Sequence, residues 1–295
     1  MTYHQFVKAV ERKVKERAGA RIAVCVRTVR KNNGVERKGL LLSERTSNMS
    51  PTIYLEEYFS RYQDGITVDE IAGQVLDIYR EFRCQKPWDP ESLREYGKVR
   101  GRIVWRLIGR ERNRCFLEET PHADFLDLAI VFYVLLEAGT FGTAAMLIRE
   151  EHLDMWKVSQ EEVYAQARLN APKLLPYEFC PLSSVVEEMT GGRNSSREFR
   201  RQETLYVLSN QLRCYGAASV LYPGMLEEIG SLLGENYYVL PSSVHEIIVI
   251  RESDAPERKY LEQVVTEINR VQVDAEEVLS NRVYFYDTES RHLSL

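Results

Sequence analysis

Ile22-Ala23-Val24-Cys25-Val26-Arg27-Thr28-Val29, followed by Asn33-Gly34 and then Lys38-Gly39-Leu40-Leu41-Leu42-Ser43, is the stretch whose reading decides the fold class. Apolar residues alternate along the first arm, and the second arm returns as a strand. Asn-Gly between them is the strongest short hairpin signal, because both residues tolerate positive φ. Upstream, Phe6, Val7, Val10 and Val14 recur at helical spacing, which predicts an amphipathic helix over 3–18 ending before Gly19. Downstream, Pro51 to Leu55 reads as a third strand. Ile66-Thr67-Val68-Asp69-Glu70-Ile71 then opens a helix with Ile71, Val75, Ile78, Tyr79 and Phe82 as its buried stripe.

The same helix-start pattern recurs at Val158-Ser159-Gln160-Glu161-Glu162-Val163 and Val273-Asp274-Ala275-Glu276-Glu277-Val278. In each, Thr, Ser or Asp can cap free backbone N–H groups, a Glu three residues on can reach back, and the flanking apolar pair can form a staple. Around the second copy, Arg102 to Ile108 and Phe125 to Leu136 read as strands. Gly139 to Gly142 reads as a turn, Thr143 to Ile148 as a returning strand, and the capped helix stops before Pro172. Around the third, strands are expected at Thr204–Ser209, Tyr237–Leu240, His245–Arg251 and Arg282–Tyr286. Helices are expected at Pro223–Leu233 and through Leu261, Val264, Val265 and Ile268.

Hairpins alternating with single helices predict an α+β fold, with antiparallel sheets covered by helices on one face. The three signals leave open an internal strand–helix repeat. Gln85 to Glu95 reads as a connection between units, and the Pro/Gly/Ser-rich stretch from Pro176 to Arg201 as the least structured part. The chain is therefore expected to divide into an N-terminal part, 1–190, and a C-terminal part, 200–295.

Composition bounds the setting. With 295 residues, 44% apolar and 28% charged, the chain can bury a substantial core. Its longest apolar run, Leu128 to Leu136, is far short of the roughly 18–20 residues that cross a bilayer. The polar N-terminus lacks an apolar secretory segment, so a cytoplasmic protein with no membrane contact is expected. The five cysteines (Cys25, Cys84, Cys115, Cys180 and Cys214) form no C-x-x-C pair and read as free thiols, with Cys25 a small buried residue of its strand. Neither a cofactor nor a metal is expected. Residues 1–38 carry eleven Lys/Arg against three Glu, a local +8 that leaves −13 for the rest. This is either a basic patch or a solvated helix followed by a charged hairpin.

The blocks Asn48-Met49-Ser50-Pro51-Thr52-Ile53-Tyr54-Leu55, Pro121-His122 with Phe125-Leu126-Asp127-Leu128-Ala129, and His152-Leu153-Asp154-Met155-Trp156 carry a resemblance. So do Leu205-Tyr206-Val207-Leu208-Ser209-Asn210 and Tyr238-Val239-Leu240-Pro241-Ser242-Ser243-Val244-His245-Glu246. Over nearly the whole chain they resemble an uncharacterised bacterial family catalogued as domain of unknown function 5688. The resemblance implies a cytosolic setting in anaerobic gut bacteria, often near mobile genetic elements. It implies no activity, cofactor or catalytic residue.

Two clusters have chemical content. Ser242, Ser243, His245 and Glu246 supply the hydroxyl, base and carboxylate of nucleophilic catalysis. On a strand His245 and Glu246 would point to opposite faces, and a hairpin whose side chains bond local backbone is the other reading. Lys98, Arg100, Arg102, Arg106, Arg110, Arg112 and Arg114 occupy even positions, so an extended strand would array them on one side, opposite Val99, Ile103, Trp105 and Leu107. Positions 98, 102, 106, 110 and 114 also fit helical spacing, but Gly101 and Gly109 weaken a helix and Val104 with Trp105 favours the strand. Such a stripe could neutralise phosphates, or it could be a solvated or internally paired face.

Gly191-Gly192-Arg193-Asn194-Ser195-Ser196 lacks the phosphate-loop pattern. Asp124 and Asp127 alone make a poor metal site. His122 and His152 read as capping or partly buried residues, and Trp105 and Trp156 as core anchors. The leading expectation is a non-catalytic interaction or accessory module with a protein partner. The alternative is nucleic-acid binding through Lys98, Arg100, Arg102, Arg106 and Arg110, and the third reading is a serine-type hydrolase at Ser242, Ser243 and His245.

Overall fold

Thr2 starts helix α1 (Tyr3–Ala18) as half of a capping box, accepting from the Gln5 amide while the Gln5 side chain accepts from the Thr2 amide. The structure is a computed structural model that describes residues 1–44, 51–82, 89–139, 142–190 and 203–295. These fall into two units, Met1–Leu93 and Arg94–Leu295.

In the first unit, β1 (Ile22–Arg30) and β2 (Glu36–Glu44) pair antiparallel from Ile22↔Glu44 to Arg30↔Glu36. Asn33 and Gly34 both adopt positive φ in the connection. β3 (Thr52–Tyr54) pairs with β2, and helices α2 (Glu56–Gln63) and α3 (Val68–Phe82) follow. Phe6, Val10 and Val14 of α1 pack with Ile71, Val75 and Tyr79 of α3 over Val24, Leu40, Leu42 and Ile53 of the sheet. Those inward positions leave Cys25 on the opposite face, where it is exposed, contrary to the burial expected of it. Thr67 caps α3 as the pattern requires: its hydroxyl accepts from the Glu70 amide at 3.2 Å and its amide donates to Glu70 at 2.9 Å. Asp69 clasps α3 to α1 through Lys13 at 3.2 Å and through Arg17.

The second unit holds two antiparallel sheets. After α4 (Tyr96–Val99) come β4 (Ile103–Gly109), α5 (Arg114–Leu117), β5 (His122–Phe125), β6 (Leu128–Gly139) and β7 (Gly142–Leu147). β4 lies along one edge of the long central β6, while β5 and β7 share its other edge in succession. The run expected as one strand from Phe125 to Leu136 is broken by a turn in which Leu126 takes positive φ, and this turn presents Asp127. α6 (Glu150–Trp156) precedes α7 (Gln160–Leu174), whose Ser159 cap accepts from the Glu162 amide. α7 carries through Pro172 instead of stopping before it. Proline sits in the last turn, and the next helical bond, from Leu175 N to Ala171 O, is intact at 2.9 Å. Tyr164 of α7 packs on Trp105 and Phe132, which are fully buried.

The second sheet runs β13-β12-β10-β11-β9-β8. Its elements are β8 (Tyr177–Pro181), α8 (Leu182–Met189), β9 (Leu205–Asn210), α9 (Met225–Leu233), β10 (Tyr237–Leu240), β11 (Ile247–Arg251), α10 (Arg258–Val271), β12 (Tyr284–Asp287) and β13 (His292–Ser294). Helices cover both faces, not one as expected. α10 sets Leu261 and Val265 on Leu240 and Ile250, while α9 lies against Tyr237 and Tyr286 at Gly230, where a Cβ would crowd Thr288 at 2.8 Å. Nearly continuous apolar strands such as Ile247-Ile248-Val249-Ile250 require this double cover.

The division into units falls within the Gln85–Glu95 connection and not at 190–200. β8 and β9, on either side of the latter stretch, are paired from Tyr177↔Asn210 to Pro181↔Tyr206 and belong to one sheet. Gly191–Ser196, Trp88 and Cys84 lie outside the described residues. The third helix-start pattern makes no helix. Asp274 O accepts from the Glu277 and Val278 amides, one turn closes, and Val278 then bridges to Ser243 as extended chain. The three signals thus build no threefold repeat.

Thr67→Ala should lower stability by about 1 kcal/mol in urea unfolding, through loss of the cap. The hydrogen bond from Lys13, with the charges of Lys13 and Arg17, holds the Asp69 carboxyl below the ordinary carboxylate range. A depressed folded-state pKa gives stability that is present above the unfolded value and lost as pH falls through the folded one. Asp69→Asn should therefore show a shallower decline of urea midpoint than the parent protein between pH about 5 and about 2.

Candidate functional site

The chain after α10 returns beside the turn that follows β10. Val244 N donates to Glu277 O at 2.8 Å, and Leu279 N and Ser280 N donate to Ser242 O and Pro241 O, each at 2.9 Å. This brings the Glu277 carboxylate to His245, with Nε2 and Oε1 3.2 Å apart. On the other side of the ring, Nδ1 accepts from the Tyr215 amide at 3.2 Å. A neutral imidazole with Nδ1 accepting carries its hydrogen on Nε2, so it donates to Glu277.

Tyr215 and Arg213 both hold left-handed backbone conformations that non-glycine residues rarely adopt. The buried Asn210 enforces them: its Oδ1 accepts from the Leu212 and Cys214 amides, and its Nδ2 donates to Cys214 O. Gly216 lets the segment approach, since a Cβ there would strike Ser209 Oγ and Asn210 N and lie 2.7 Å from His245 O.

The Tyr215 ring packs at a tilt against His245, with centroids 5.4 Å apart, and it also meets Arg106 of β4. The Arg106 guanidinium lies 3.7 Å from the Tyr215 centroid and 4.2 Å from that of Tyr133, and it donates to Thr143 Oγ1 at 3.0 Å. A cation over two aromatic faces is attracted by both ring quadrupoles. Burial raises the Tyr133 phenol pKa despite the opposing charge of Arg106, so the ring stays neutral. Tyr133, Arg106, Tyr215, His245 and Glu277 thus form one ladder that ties the β4–β7 sheet to the six-stranded sheet. The ladder takes Arg106 and His245 from the two clusters seen in the sequence. Tyr133, Tyr215 and Glu277 were not anticipated, and the one signal near them, the third helix-start pattern, pointed to a helix.

The remaining candidates are dispersed. Ser242 Oγ donates to Asn269 Oδ1, and Ser243 Oγ accepts from the His245 amide at 3.0 Å. The carboxylate beside the imidazole is Glu277, not the adjacent Glu246. The cationic stripe requires an extended chain from 98 to 114, but only Ile103–Gly109 is strand, and there every residue except Arg106 is buried. Lys98 bonds Glu95 in α4, Arg102 donates to Leu135 O and Leu136 O, and Arg110 pairs with Asp124 at 3.2 Å. Arg100, Arg112 and Arg114 lie outside the strand and are exposed. His152 completes the α6 cap, accepting from the Arg149 amide, and Trp105 and Trp156 are buried.

Asp127 makes a second tie between the sheets. Ser280 Oγ donates to its Oδ2 at 2.6 Å, and the Tyr284 hydroxyl donates to its Oδ1. Burial pushes the Tyr284 phenol far up, helped by the charge of Asp127, so Tyr284 stays a donor. Asp124 is thus in an ion pair with Arg110, and Asp127 accepts from two hydroxyls. Among the described residues no cluster of three or more His, Cys, Asp or Glu could hold a metal ion. No helix among them is long and apolar enough to cross a membrane.

No curated protein and no solved structure matches this chain. Residues 3–288 match the model of a family described as a family of unknown function, DUF5688. The match covers nearly the whole chain, both units included, and the protein belongs to the DUF5688 family.

Proposed function

We propose that this protein is a non-catalytic interaction module. The observation that carries the reading is that both ring nitrogens of His245 are engaged, one by the Tyr215 amide and one by Glu277. A general base needs a free lone pair within reach of a nucleophile. Of the hydroxyls around it, Ser242 donates to Asn269, Ser209 donates to His245 O, and Ser243 Oγ is bonded by the His245 amide and not by either ring nitrogen. The ladder therefore acts as a cross-brace that presents a rigid surface. Free thiols at Cys25, Cys115, Cys180 and Cys214 support a reducing, cytoplasmic setting. The bacterial, mobile-element context that the family resemblance implies belongs to the same proposal. Nucleic-acid binding along Lys98–Arg114 is the weaker reading, because the stripe is split between turns, strand and internal partners.

The protein should not be labelled by a serine-directed fluorophosphonate probe, and purification from its native host at low salt should recover a stoichiometric protein partner. Labelling that His245→Ala abolishes would overturn the reading in favour of a hydrolase, and recovered nucleic acid released by salt would overturn it in favour of the stripe. Gly216→Ala should cost about 1–3 kcal/mol in urea unfolding, because backbone on two sides must move to admit the methyl group.

A further inference from the structure

The second unit contains an open cleft of about 400 Å³, within the size range of small-ligand sites. One wall is the chain leaving β4, with Arg110, Glu111 and Arg112. The other is Glu262 of α10 together with Ser280, Asn281 and Arg282 ahead of β12. Asp127 lies between the walls, and its hydrogen bonds to Ser280 and Tyr284 fix their separation. The Arg282 amide donates to Ser280 Oγ at 2.9 Å, which holds the Arg282 segment in a defined turn.

The cations of this cleft are not equivalent. Arg110 is paired with Asp124. Arg112 and Arg282, one on each wall, have no carboxylate within ion-pair distance among the described residues. Two arginines without a carboxylate partner line this one cleft, and each guanidinium offers a planar fork of N–H donors that suits a dianion with three terminal oxygens. One fork would already satisfy a carboxylate, so the pair favours phosphate. Asn281 Oδ1 is taken by Asn269, which leaves its NH2 group as a further donor. The acids are placed for different work. Glu262 pairs at 3.7 Å with Arg258 Nε, a residue that is not part of the lining, and Glu111 is exposed. Carboxylates at the site can accept from hydroxyl groups, and the three arginines of the lining are matched by three acids (Glu111, Asp127 and Glu262), which disfavours a polyanionic nucleic-acid strand.

We infer that this cleft binds a small phosphomonoester of a polyol or nucleoside, with the phosphate between Arg112 and Arg282 and the hydroxyls toward Glu111 and Glu262. The inference rests on the reading of the protein as a binding module and assigns that module a ligand class.

The test is calorimetric titration of the full chain with ribose 5-phosphate, glucose 6-phosphate and adenosine 5′-monophosphate, with inorganic phosphate and ribose as controls. At least one ester should bind more tightly than inorganic phosphate, and ribose should not bind. Arg112→Ala and Arg282→Ala should each weaken that ester about tenfold or more, as expected for loss of a charge-assisted contact. Both side chains are exposed, and circular dichroism and an unchanged melting temperature will show that the variants fold. Glu111→Gln should weaken the ester while leaving inorganic phosphate unchanged. Absence of binding by all three esters, or binding unchanged in the double arginine variant, overturns the inference and leaves the interaction-module reading standing. Release of phosphate from a bound ester would overturn the non-catalytic reading while supporting the site.

Discussion

The pairing of the Glu277–Ser280 segment with the turn at Pro241–Val244 is the constraint on which the rest of the second unit depends. Three backbone hydrogen bonds place this short extended stretch beside the end of β10. Two side chains on it then reach across to separate partners. Glu277 bonds His245 and so terminates the aromatic–cation ladder, while Ser280 bonds Asp127 on the turn between β5 and β6. Shifting the segment by one residue would turn both side chains away at once, because neighbouring residues of extended chain face opposite sides.

Both ties join the same two sheets, and they differ in physics. The ladder is a run of cation–ring and tilted ring contacts with Arg106 at its centre, and the left-handed loop delivers Tyr215 to it. The Asp127 tie is a carboxylate receiving two hydroxyl donors, one of them a phenol that burial keeps protonated. Groups that would be reactive in isolation are used here as fixed donors and acceptors. Arg112 and Arg282, which line the cleft beside the Asp127 tie, have no carboxylate partner among the described residues.

Local signals were legible where local energetics dominate. The α1 stripe, the Asn33-Gly34 connection, the Thr67 and Ser159 caps, β10 from Tyr237 to Leu240 and the Gly234 cap of α9 all follow from spacing or from one residue's backbone preference. α2, α6, β8, α8 and β13 are short elements stabilised by what they pack on, and they left no comparable pattern. The even-numbered cations from Lys98 to Arg114 were a true periodicity with no single element beneath it. The cysteine expected inside, Cys25, faces out because the inward positions of β1 were already filled by larger apolar side chains.

By itself the sequence determined the α+β class, the capped helices, the connection near residue 90 and the family. Each of these rests on contacts between residues close in the chain, or on the whole chain's similarity to a known set. Only the tertiary structure decided that Val273–Val278 closes a turn instead of starting a helix, that His245 meets Glu277, and that Arg112 and Arg282 face one cleft. The last two of these bring together residues 32 and 170 positions apart in the chain. They are set by which sheet edges and turns pack together, and no local preference of either partner encodes that choice.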